Sequence, residues 1–272
     1  MKSLLLAVLA AYVVSAIHAV LAFLNKRRAL QRVSETALAA GFVLHTAALI
    51  ADWVIDGHYP LFYKPETLSF LAWTLVLSYG LVLYRYRARP LGVVTLPLVS
   101  LLVFIAIVLR PSNSDQTAAN SFAASWIFPV HTTLLLFAYA AFFLVFLASI
   151  MYLLLERELK RKTFSAIFHR LPSLTTVNEI ATISAAVGVT LLTVGIATGM
   201  LWSSSRYGRL WQNDPKEIFA VLTLVLYLLL IFYRSTSSWR GRKAAWMGVA
   251  GFALVLLTFF GAQLMGGYHV FG

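Results

Sequence analysis

The chain has 272 residues, of which 60% are hydrophobic and 12% charged, with no cysteine and a formal net charge of +12. Its mean hydropathy of +0.82 and its charged share, near half that of a soluble domain, exclude a single aqueous core and make the bilayer its solvent. The missing cysteines exclude disulfides, thiolate metal sites, thioether attachment of a cofactor and CxxC redox chemistry. The basic residues fall in short bursts between apolar runs, a pattern of membrane orientation and not of a nucleic-acid-binding face.

About 17–25 predominantly apolar residues cross a bilayer, and eight runs are read as spans: 3–23, 36–54, 67–84, 91–109, 126–155, 178–202, 218–233 and 244–265. The predicted fold is all-α, a polytopic membrane bundle forming one domain over residues 1–272, because no long linker interrupts it. Before the first span the only basic residue is Lys2, and the run is too long for a secretory h-region, so it is read as retained. His18 lies in the inner half of that span. The second span carries His45 at mid-depth, where an ionisable residue is a functional candidate by default. A neutral imidazole bonded to a neighbouring helix is the alternative. Asp52, seven residues on, shares its face. That pair leaves open a small-molecule or ion carrier, although Asp52 also suits the headgroup region and no broken-helix pair marks a transporter site.

His58 falls in the loop after the second span. The fifth span opens at His131 and is expected to run on into "ERELKRK". "TFSAIFHRLPS", with His169, is expected to be a short interfacial helix. In the sixth span Gly195 and Gly199 make a GxxxG pattern, which favours close helix packing. "SSSRYGRLWQNDPKEI" follows. There Asp214 is a good N-cap, Pro215 suits the first turn and Glu217 closes a capping box. Trp211 and Tyr207 ahead of it are either interfacial anchors or part of a site. The eighth span leads to "GGYHVFG", which holds His269.

Orientation follows from Lys and Arg. The loops after spans 1, 3, 5 and 7 hold Lys26, Arg27, Arg28, Arg32, Arg85, Arg87, Arg89, Arg157, Lys160, Arg161, Lys162, Arg170, Arg234, Arg240, Arg242 and Lys243, 16 of the 22 basic residues. These loops are expected in the cytoplasm and both termini outside, in the cell's inner (plasma) membrane. His131 and His269 then share the outer level with segment 203–217. Neutral imidazole ligates haem iron, and two of them beside flat aromatic rings suit a planar macrocycle. Zinc, or no ligand at all, remains the alternative.

"YGRLWQNDPKEI" resembles the WWD signature, W-G-x-x-W-x-W-D-P-K-E, of membrane haem-handling proteins used in cytochrome c synthesis. "GHYPLFYKPETLSFLAW", "VHTTLLLFAYAAF", "VGIATGMLW", "SWRGRKAAW" and "GGYHVFG" agree in order. The chain is most similar to the short eight-helix members, cytochrome c assembly and HemX-like proteins. The resemblance implies non-covalent b-type haem presented at the outer face, with His131 and His269 as axial ligands and Tyr207, Gly208, Trp211 and Asp214 in the cradle. His45 joins them as a further candidate for haem binding. It also implies a haem-handling component more than a stand-alone enzyme, set in membrane lipid, with a membrane partner bearing an outer domain and apocytochrome c within reach. A HemX-like regulator of tetrapyrrole synthesis, acting through protein contacts, is the other reading. Tyr207 and Asn213 stand in place of two signature tryptophans. Phe232 stands where related synthases carry an inner-face histidine, and a Phe cannot ligate iron, so no inner haem site is expected.

Overall fold

A computed structural model of the chain describes residues 2–110, 126–162, 165, 168–235 and 241–261. Eight helices run through them, all long and apolar enough to cross a membrane, and among the described residues there is no strand. They are α1 Lys2–Asn25, α2 Arg28–Asp56, α3 Lys64–Tyr86, α4 Gly92–Leu109, α5 Ile127–Arg161, α6 Leu174–Tyr207, α7 Pro215–Ser235 and α8 Arg242–Leu256, which a π-helical turn over Leu257–Gly261 extends to span length. The expected all-α membrane fold is therefore present. Most helices outrun the apolar windows that announced them, because hydropathy marks only the part in hydrocarbon and polar ends continue the same backbone ladder. Thus α6 carries through "SSSRY" to Tyr207, and α5 carries through "ERELKR", where Lys160 donates to Glu156 one turn back at 2.7 Å. Of the expected interfacial helix, Phe168–Arg170 form a single 3-10 turn, and part of the segment lies outside the described residues.

The helices group into two compact units, one within Met1–Trp126 and the other within Ile127–Val270. In the first, α1 packs on α2 and α4, and α3 on α4. Hydrocarbon offers no hydrophobic drive between helices, so small residues and polar bonds hold them. At one level Ser15 Oγ donates to Ser34 O and Ser34 Oγ to Ser15 O, both at 2.9 Å, a reciprocal clasp between α1 and α2. Deeper in the pair, Tyr12 lies against Gly41, where a Cβ would come within 2.7 Å of its ring. Its hydroxyl reaches His45 Nδ1 at 3.2 Å, and His45 Nε2 is 3.0 Å from Ser69 Oγ. His45 is fully buried and joins α1, α2 and α3 through both ring nitrogens.

The second unit closes a ring of neighbours: α5 packs on α6 and α8, and α7 on α6 and α8. Helix α5 is the most buried. Phe142 of α5 stacks on Tyr227 of α7 with centroids 3.8 Å apart. Gly188 on α6 and Gly251 on α8 make room for these two rings, since a Cβ would lie 2.5 Å from Phe142 Cε1 and 2.8 Å from Tyr227 Cζ. Small residues on two helices thus allow large rings on the other two to meet at the centre of the unit.

Candidate functional site

Helix α5 begins at Ile127, and His131 is its fifth residue, half-buried where α6 passes. Its Nδ1 lies 2.7 Å from the carbonyl oxygen of Gly195 on α6. A carbonyl can only accept, so Nδ1–H donates, and a neutral imidazole then carries its lone pair on Nε2. Two turns up α6, Trp202 is buried and its ring meets Phe128 of α5 at 5.6 Å and Tyr207 at 5.9 Å. The ordered rings Phe128, Trp202 and Tyr207 therefore tie the start of α5 to the end of α6.

Gly208 ends α6 at φ +69°, a left-handed cap, and its N–H donates to Ser204 O at 3.0 Å. The chain then folds back on α6. Ser203 Oγ donates to Arg209 O at 2.8 Å, and Gln212 Nε2 donates to Ser203 Oγ at 3.0 Å. Trp211 Nε1 donates to Asn213 Oδ1 at 2.8 Å. Asn213 itself sits at φ +57°, a region that asparagine tolerates and a bulky ring does not. This departure from the tryptophan-rich signature suits the local turn, and it holds the remaining tryptophan. The predicted cap forms, with Asp214 taking the second helical N–H: Asp214 Oδ1 accepts from Lys216 N at 2.8 Å, and Glu217 Oε2 accepts from Asp214 N at 3.2 Å and Gln212 N at 2.9 Å.

The predicted site residues thus differ in what they offer. His131 presents an oriented imidazole, and Tyr207 and Trp211 keep exposed rings. Gly208 and Asp214 shape helix ends, Asp214 at 1% exposure. His269 lies outside the described residues. His45 belongs to the first unit and bonds Tyr12 and Ser69. Asp52, on the same helix, holds Arg110 through two bonds, at 3.1 and 2.5 Å. His18 Nδ1 donates to Val14 O of its own helix at 2.8 Å, and His169 is exposed. Phe232 is 62% exposed, its ring beside Tyr233. Among the described residues no three His, Asp or Glu side chains gather to hold a bare metal ion. The sequence reading missed Phe128, Trp202 and the part played by Gly195 and Gly199. The GxxxG pattern was the available signal, but it does not say which side chain the glycines receive.

The cytochrome c assembly protein family matches residues 62–269. The cytochrome c biogenesis protein CcsA of Prochlorococcus marinus strain MIT 9301 is 28% identical over 252 residues, covering 85% of this chain and 81% of that protein. CcsA of Zea mays is 26% identical over 296 residues, covering 96% and 92%. CcsA of Guillardia theta is 26% identical over 245 residues, covering 84% and 81%.

Proposed function

Because the chain belongs to the cytochrome c assembly protein family, we propose that this multi-pass membrane protein holds b-type haem non-covalently where α5 begins and α6 ends, for cytochrome c assembly. The observation that carries the reading is the His131 imidazole, whose Nδ1–H is committed to Gly195 O. A histidine that binds metal ordinarily gives its other N–H to such an acceptor, so His131 would hold the haem iron through Nε2. In this reading His269 would be the second ligand, and Tyr207, Trp211 and the turn between them would help hold the haem. When bound, haem supplies the iron and vinyl chemistry. The chain supplies orientation, a helix-end cradle and, without cysteine, no thiol. The thiols come from apocytochrome c, brought by a membrane partner with an outer domain.

The test is the absorption spectrum of the detergent-purified chain after expression with added haem. A Soret band near one haem per chain is expected. A colourless preparation would overturn the haem reading and favour the regulator of tetrapyrrole synthesis, which needs no pigment.

The site faces outward if the positive-inside rule holds for this chain. A reporter active only outside the cytoplasm is expected to work when fused after Asn120 and to stay silent after Ser165. The reverse pattern would invert the whole orientation and place His131 on the cytoplasmic side.

A further inference from the structure

The contact between His131 and α6 is more specific than helix packing requires. A Cβ at position 199 would fall 2.5 Å from His131 Cε1, 2.8 Å from Nδ1 and 3.4 Å from Nε2. The Cε1–Nδ1 edge of the ring therefore rests against bare backbone at Gly199, with Nε2 the more distant nitrogen. Gly195 plays a different part. Its own Cβ position faces Leu135, 2.8 Å from Cδ2, while its carbonyl takes the Nδ1–H at 2.7 Å. Thr198 Oγ1 donates to that same carbonyl at 2.8 Å, so the oxygen is held from two sides.

We infer that Gly199 and the Gly195 carbonyl are positioning groups for His131, fixing its tautomer and ring orientation so that Nε2 is the nitrogen offered to iron. The inference rests on the reading of His131 as a haem ligand. Its physical content is a preformed ligand. The tautomer with Nδ1 protonated is selected before haem arrives, and hydrogen bonding to a carbonyl makes the opposite nitrogen a stronger donor to metal. Any side chain at 199 would push the ring off its seat and lengthen the Nδ1–H···O hydrogen bond to Gly195.

The first measurement needs no haem. The full chain, labelled with 15N-histidine in detergent micelles, is examined by NMR, and His131 is assigned by its absence in His131→Gln. Shifts of a protonated Nδ1 and a bare Nε2 are expected. A His131 ring protonated on Nε2 alone would overturn the inference, whether or not any variant at position 199 folds.

The second measurement titrates haem into Gly199→Ala. Binding is expected to weaken by about 10–100-fold, the usual loss when a partner orienting a metal-bound histidine is removed, together with a changed tautomer signal. Gly188→Ala is the packing control, because its methyl would press on Phe142 of the same helix pair at 2.5 Å without touching His131. It is expected to keep the parental tautomer and affinity. Equal losses in both variants, or parental binding in Gly199→Ala, would refute the positioning role. If His131→Ala itself binds haem with parental affinity and spectrum, the haem-ligand reading falls, and the inference built on it falls too.

Discussion

Replacing His131 by alanine is expected to cost the protein at least about tenfold in haem retention, and to turn a low-spin spectrum high-spin in whatever haem remains. Partners that only orient a metal-bound histidine already cost about 10–100-fold when removed, and loss of the ligand itself should cost no less. A bis-imidazole iron that loses one strong-field ligand changes spin state. His269→Ala should act in the same direction. His169→Ala should do neither, since that exposed residue lies in the 3-10 turn between α5 and α6, away from the start of α5. The readout is the Soret and visible spectrum of each purified variant at matched protein concentration. An unchanged low-spin spectrum in the double variant lacking both His131 and His269 would remove the pair from the site.

The largest effect on stability is expected in the first unit. Asp52 is 4% exposed and grips Arg110 through both carboxylate oxygens, so removing Arg110 leaves a buried carboxylate without its bidentate partner, whereas removing Asp52 leaves a guanidinium that is 17% exposed. Arg110→Ala is expected to destabilise by about 3–5 kcal/mol and Asp52→Ala by less, whereas replacing both with apolar residues of similar volume should recover most of the loss. The pair ties α2 to the end of α4, so the change should appear as an earlier unfolding midpoint of the chain in detergent. A double-mutant cycle separates the pairwise part from general disruption. Single variants within about 0.5 kcal/mol of the parent, the range of ordinary surface changes, would show that the pair does not hold the helices.

Some of this molecule is legible because the physics is local. A run of apolar residues has one stable place near a bilayer, and backbone groups in hydrocarbon must bond within their own helix, so eight spans follow from hydropathy alone. The turn before α7 is local too. Asp214, Pro215 and Glu217 cap the helix within four residues, with no help from the rest of the fold. Helix ends were read short because the signal is apolarity, and the hydrogen-bond ladder does not stop where apolarity does.

What the spacing of residues could not decide was partnership. From sequence, His45 and Asp52 shared a helix face and suggested a polar path. In the fold His45 turns to Tyr12 and Ser69, and Asp52 to Arg110, partners 24 to 58 positions away. The same holds at the candidate site. Gly195 and Gly199 announced close packing, but 64 positions separate Gly195 from the ring whose N–H its carbonyl accepts. Sequence by itself determined which segments lie in the membrane, because transfer into hydrocarbon is a property of each segment alone. Tertiary structure decided which nitrogen of His131 keeps its lone pair, because that depends on the axial and rotational register of α5 against α6. That register is set by the summed packing of many side chains and is written in no single motif.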